Sequence, residues 1–179
     1  MGAPDLQPTL EGEQVTLRPL RVQDWAEMSA IAADPLIWEL HPERERWREP
    51  IFRLFFDSAL ESGSAFAIVD RASGRMIGSS RYFGHDPALS EIEIGWTFLA
   101  RDHWGGGTNR EVKRLMLDHA FTFVDTVIFW VGETNWRSRR AMEKIGGVLR
   151  DGVRMRAYSR EPCPHVIYEI RKGQRSASY

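Results

Sequence analysis

Three consecutive glycines, Gly105, Gly106 and Gly107, stand between an alternating polar and apolar stretch, Glu91 to Phe98, and an amphipathic run that begins near Thr108. A strand, a glycine turn and a helix in that order suit the holding of an anion. Glycines let backbone N–H groups turn inward, and the first helical turn adds unpaired donors and the positive end of its dipole. A Walker loop needs Gly-Lys-Ser/Thr at its end, whereas Gly107 is followed by Thr108 and Asn109. The dinucleotide fingerprint G-x-G-x-x-G is absent too. The stretch reads as a pyrophosphate cradle of another kind; its bland reading is a glycine loop without a ligand.

Trp104-Gly105-Gly106-Gly107-Thr108-Asn109 resembles the acetyl-CoA pyrophosphate motif (Q/R)-x-x-G-x-(G/A) of the GNAT N-acetyltransferases, in the Trp-Gly-x-Gly form of the Rim-type protein acetyltransferases. Upstream, Glu93-Ile94-Gly95-Trp96 resembles that family's bulged fourth strand. Downstream, Asn135 to Gly146 is similar to the second family signature, N-x-x-S/A followed by a helix ending in Glu-Lys-x-Gly. The resemblance covers about Gln14 to Ile170. It implies an acetyl-CoA-dependent N-acetyltransferase, without a metal, acting on a primary amine that is either a protein N-terminus or a small molecule. It is also compatible with a homodimer.

Transfer of acetyl from a thioester to an amine needs the amine deprotonated, the oxyanion stabilised and the thiolate protonated. By the resemblance, Glu93 is the base and Glu91, on the same strand face, the runner-up; alternation alone would also place surface acids at both. Gly95 marks a bulge whose freed N–H donors serve the oxyanion, or a plain kink. Trp96, Thr97 and Phe98 would line the thioester and pantetheine arm. Gly105, Gly106, Gly107, Thr108 and Asn109 form the cradle, with Asn109 departing from the usual glycine or alanine. Arg101 and Arg110 flank it as phosphate partners or as surface charge.

Asn135 serves the pantetheine amides, caps the next helix, or does both. The family's usual tyrosine, seven residues beyond that asparagine, is Met142 here, which has no proton to donate. Ser138, one turn earlier on the same face, takes the acid's place by the Rim-type resemblance, or is merely a helix-start serine. Cys163 lies away from the motifs, so direct attack in a ternary complex is expected over an acyl-enzyme. The competing reading is a CoA-binding module without turnover, marked by Met142 and Asn109. A third, an interaction scaffold, would not need the cradle.

These side chains need a scaffold to hold them. The 179 residues, 42% of them apolar, suffice for one core and one domain, expected over residues 8–172 with tails at 1–7 and 173–179. A net charge of -1 gives no global pull toward nucleic acid or a membrane. One cysteine excludes an internal disulfide, and the five histidines do not cluster. With no signal peptide or apolar span in view, the cytoplasm is the expected compartment.

The hydrophobic pattern predicts a strand over 14–19, a helix over 22–33 closed by Asp34-Pro35, and a charged loop over 41–50 that is solvated or borders the acceptor site through Trp47 and its arginines. A helix from Pro50, capped by Gly63, precedes a hairpin of strands 65–69 and 76–83. A helix over 109–123 turns Glu111, Lys113, Arg114 and Asp118 to solvent. A buried strand over 126–131, a helix over 135–145 and an antiparallel pair, 148–155 with 165–170 across a turn holding Pro162 and Pro164, complete the chain. The sum is a mixed α/β fold, mostly antiparallel, flanked by helices and, by the GNAT resemblance, splayed between the family's fourth and fifth strands.

Overall fold

The computed structural model describes residues 3–157 and 161–174. Leu10–Glu11 (β1) and Val15–Pro19 (β2) lead through a 3-10 turn, Val22–Asp24, into helices Trp25–Ala32 (α1), Pro35–Trp38 (α2) and Glu49–Glu61 (α3). Strands Ala65–Asp70 (β3), Met76–Asp86 (β4) and Glu91–Leu99 (β5) follow. Thr108–Ala120 (α4), Thr126–Gly132 (β6), Trp136–Lys144 (α5), Val148–Leu149 (β7), Arg154–Arg156 (β8) and Cys163–Arg171 (β9) complete the order.

Alternation along β3 sets the layers. Phe66 and Ile68 enter the core shared with α4 and α5, while Ala65 and Ala67 enter the one shared with α1, α2 and α3. Both faces of one sheet are thereby covered by helices. The sheet order is β1-β2-β3-β4-β5-β6-β9-β7, with β8 paired to β9. Every pairing is antiparallel except β5 with β6.

That joint is short. Its partners are Glu91 with Thr126, Ile92 with Val127 and Glu93 with Ile128, after which both strands continue unpaired to each other and the sheet opens. This is the expected splay. A bulge bends β5 at the opening: Ser79 faces Phe98 and Arg81 faces Gly95, so Trp96 and Thr97 together oppose Ser80. The strained residue is Trp96, with φ of 52°, rather than Gly95. Holding tryptophan there costs about 1–3 kcal/mol. Stacking of the Arg81 guanidinium 3.8 Å from the ring centroid offsets part of it.

Several expectations change. The helix expected over 22–33 starts as a 3-10 turn, and Asp34-Pro35 starts α2 as well as ending α1, because the Asp34 carboxylate accepts from the Leu36 N–H at 3.0 Å. The strand expected over 148–155 is broken by a turn at Asp151-Gly152, where Gly152 has φ of 85°. Residues 3–7 are anchored rather than free: Gln7 Nε2 donates to the Ala65 carbonyl at 2.7 Å and Leu6 packs on the core. The tail residues 1–2 and 175–179, and residues 158–160 of the last turn, lie outside the described residues.

The polar face of α4 is the largest correction. Glu111 and Lys113 are 8% and 3% exposed. Glu111 reaches under β2, where its carboxylate accepts from the N–H groups of Glu13, Gln14 and Val15 at 2.7, 2.9 and 3.0 Å. No helix among the described residues is long and apolar enough to cross a membrane.

Candidate functional site

A groove of about 780 Å³ runs past the glycine turn, walled by Gly105, Gly107, Asn109, Phe98 and the inward side of α5. It abuts an inner cavity of about 140 Å³ at the split between β5 and β6. Thr97, Asn109, Asn135 and Ser138 border both spaces. With His41 and Ala141, they mark where the groove meets the cavity.

The cradle is built by backbone conformation. Gly105 and Gly107 have φ of 77° and 86°, which L side chains adopt only under strain, and Gly107 is the N-cap of α4, with no side chain capping the helix. A Cβ at Gly105, Gly106 or Gly107 would meet nothing within 4 Å. Packing does not demand glycine at 106, whose surroundings are open space. The thirteen-residue α4 directs its first-turn N–H groups and dipole at that space. Arg110, Arg137, Arg140 and Lys144 border the groove with side chains suited to phosphate charge. Arg137 also stacks over Trp104 at 4.3 Å and pairs with Glu39. Arg101 instead pairs with Asp34 and does not border the groove.

Asn135 does what the sequence allowed. Its side chain accepts the Ser138 N–H at 3.2 Å, capping α5, while the residue is 8% exposed and faces both spaces. Ser138 and Met142 line the inner cavity one turn apart, and Met142 belongs to the core. Thr97 Oγ1 shares a hydrogen bond with Ser80 Oγ at 2.7 Å, which fixes the bulge beside the cavity.

Glu93 lies in the cavity wall, 4% exposed. Arg156 donates to both of its oxygens, at 2.6 and 2.7 Å, across the split from β8. Burial pushes the Glu93 carboxyl above the usual range, and the Arg156 guanidinium opposes that rise without cancelling it. Arg156 in turn stacks on Trp130 at 4.2 Å and on Trp96 at 5.3 Å. Glu91 is held differently: Arg150 Nη2 donates to it at 2.5 Å, and it borders neither space. The two glutamates share a strand face but not a site.

Two groups at the site, His41 and Lys113, escaped the sequence reading, while Arg46 is one of the loop arginines expected to border the acceptor site. Arg46, from the charged loop, is 5% exposed, borders the cavity and stacks over Phe55 at 4.8 Å, while its neighbour Trp47 is exposed. His41 borders both spaces, and burial lowers its pKa well below the ordinary histidine value, so the ring is neutral. Lys113 borders the cavity and donates to Thr97 Oγ1 at 2.5 Å. Its position was available: one turn beyond Asn109, it must share that residue's face. Among the described residues, no group of three or more His, Cys, Asp or Glu side chains could hold a metal ion.

The chain from residue 14 to residue 148 matches the family model of the Acetyltransferase (GNAT) domain. An acetyltransferase of Agrobacterium tumefaciens str. C58 is 26% identical, with 92% of this chain and 95% of that one covered and a TM-score of 0.70. A GCN5-related N-acetyltransferase of Brucella melitensis is 22% identical over 92% of this chain and 79% of that one, TM-score 0.76. A Vibrio cholerae protein, to which the role of ribosomal-protein-serine acetyltransferase is ascribed, shares the fold at 11% identity and a TM-score of 0.72, over 92% and 98%.

Proposed function

We propose an acceptor class and a route of transfer for a chain that belongs to the GNAT acetyltransferase family and is an acetyl-CoA-dependent N-acetyltransferase. The observation that carries the reading is the junction itself: a glycine cradle opens into a groove that ends at a cavity holding a buried carboxylate. Acetyl-CoA lies with its pyrophosphate on Gly105, Gly106, Gly107, Thr108 and Asn109, and its pantetheine past Trp96, Thr97, Phe98 and Asn135. The thioester then sits at the split, within reach of Ser138. The neutral acceptor amine enters the inner cavity and attacks the thioester directly, giving up a proton to Glu93 as the new bond forms. Cys163 is not suited to an acyl-enzyme, since it opens β9 outside both spaces and burial raises its thiol pKa.

The acceptor is a primary amine, and the Trp104-Gly105-Gly106-Gly107 sequence favours the N-terminal residue of a protein, as in the Rim-type branch. A module that only binds CoA would need the groove but not a bordering cavity with Glu93 in its wall.

Two measurements test this. Gly107→Val would strain a left-handed backbone position, so Gly106→Val is the cleaner probe of the cradle. It is expected to weaken acetyl-CoA binding at least about tenfold, about 1.4 kcal/mol, with an unchanged melting temperature; calorimetry showing wild-type affinity sinks the cradle assignment. A panel of peptides, polyamines and aminoglycosides with acetyl-CoA should then yield an acetylated peptide N-terminus. Acetylation of small amines alone removes the Rim-type reading, and no product with any amine removes the transferase.

A further inference from the structure

We propose that Lys113 is the proton donor to the departing CoA thiolate, working on the donor side of the split while Glu93 works on the acceptor side. The inference rests on the acetyl-transfer reading above and answers a gap in it, since Met142 cannot supply a proton and a serine hydroxyl must be resupplied when it gives one up. Lys113 lines the inner cavity with Ser138, and its ammonium donates to Thr97 Oγ1 at 2.5 Å. Lys113 and Glu93 both border only the cavity, but Lys113 is bonded to Thr97, which borders the groove as well, whereas Glu93 is held by Arg156. The amine therefore loses its proton at one wall and the sulfur gains one at the other.

Residue type supports the assignment. The chain has 24 lysines and arginines, and lysine occupies only positions 113, 144 and 172. Arginine, used almost everywhere else, holds its proton at all working pH values; lysine can release one. The charged groups facing the same cavity are Glu93 from β5, held by Arg156 of β8, and Arg46 with the neutral His41 from the loop before α3. Arg81 of β4 stands beyond Trp96, and on α4 itself Glu111 is engaged under β2. Among the described residues no carboxylate pairs with Lys113, whose pKa burial lowers to about 7. Near neutrality it can both give and regain a proton.

The atoms balance as follows. The amine nitrogen bonds to the thioester carbonyl carbon, and an N–H proton passes to Glu93. The C–S bond breaks with its electron pair on sulfur, which takes a proton from Lys113 Nζ directly or through the Ser138 hydroxyl. The products are the amide and CoASH. Solvent then removes the proton from Glu93 and returns one to Lys113.

The test is kcat against pH with saturating acetyl-CoA and an accepted amine, in wild type, Lys113→Met, Lys113→Arg and Ser138→Ala. Wild-type kcat should fall as pH rises through about 7, because the protonated lysine is the competent form. Lys113→Met, similar in length and at ease in the cavity, should lower kcat about 10²–10⁴-fold, lose that descending limb, and keep the wild-type acetyl-CoA affinity and melting temperature. Lys113→Arg should not restore the limb. Ser138→Ala should lower kcat with the limb retained. A Lys113→Met enzyme with wild-type kcat and limb overturns the proposal while leaving the transferase reading intact. An acetyl-lysine at position 113 of wild type after incubation with acetyl-CoA also overturns it, since the residue would then be an acceptor. Wild type that binds acetyl-CoA but acetylates no amine defeats the reading itself, and this proposal with it.

Discussion

Replacing Glu111 by alanine is expected to remove about 3–5 kcal/mol from the stability of the fold. The carboxylate accepts from the backbone N–H groups of Glu13, Gln14 and Val15 where the chain enters β2, so its loss strands three donors. Hydrogen bonds to a charged group contribute about 1.5–3 kcal/mol each, less than additively when they share one acceptor. Gly12 is part of the same device, since a Cβ there would lie 2.7 Å from the Glu111 carboxyl carbon. Out of about 5–15 kcal/mol in a typical domain, the loss is large. Urea unfolding should show it as a lower midpoint with an unchanged slope; a loss under about 1 kcal/mol would show that water replaces the carboxylate. Glu111→Gln should fall between, because one of its two groups is a donor facing donors.

Glu93→Gln is expected to lower kcat about 10²–10⁴-fold with little change in acetyl-CoA affinity. The bidentate Arg156 pair does not disqualify Glu93 as base, because each carboxylate oxygen keeps a second lone pair for the amine. Burial holds its pKa above the ordinary carboxylate value, so the competent, ionised form is lost as pH falls toward that raised value. Wild-type kcat should accordingly rise with pH on the acidic side, and Glu93→Gln should abolish the rise. If the variant keeps both rate and profile, solvent takes the proton. Arg156→Met sharpens the test: without the guanidinium the carboxyl pKa rises further, and the ascending limb should move to higher pH.

The glycine turn, the Asn135 cap and the strand with Glu93 were legible because each is a local pattern: glycines before a helix, a cap three residues before a serine N–H, a period of two. Arg156 was not, because it meets Glu93 across 63 residues of chain and a split that no local spacing reports. Lys113 and Glu111 were misread for a related reason. Charged residues on an amphipathic helix ordinarily face water, and only the arrival of β2 and the bulge of β5 over α4 gives these two a polar partner inside. Gly95 drew attention as the residue free to bend, yet the bend was taken by Trp96, whose ring is stacked by the Arg81 and Arg156 guanidiniums. Both partners lie far from it in the chain, so no local pattern reports them.

The shortness of the β5–β6 joint has a mechanical consequence. Three parallel pairs and the α4 crossover join a meander built from residues 10–99 to an antiparallel block built from residues 126–171. The two parts of the sheet meet along a short seam, braced by the Arg150–Glu91 and Arg156–Glu93 pairs, with a wedge where further ladder rungs would be. An acyl donor whose amides occupy that wedge acts as a temporary rung, tying one part to the other. At a donor concentration a hundred times its Kd, this linkage adds about 2.7 kcal/mol to the folded state. The loaded enzyme is therefore expected to melt higher than the free one, a shift that a thermal scan with and without CoA would read.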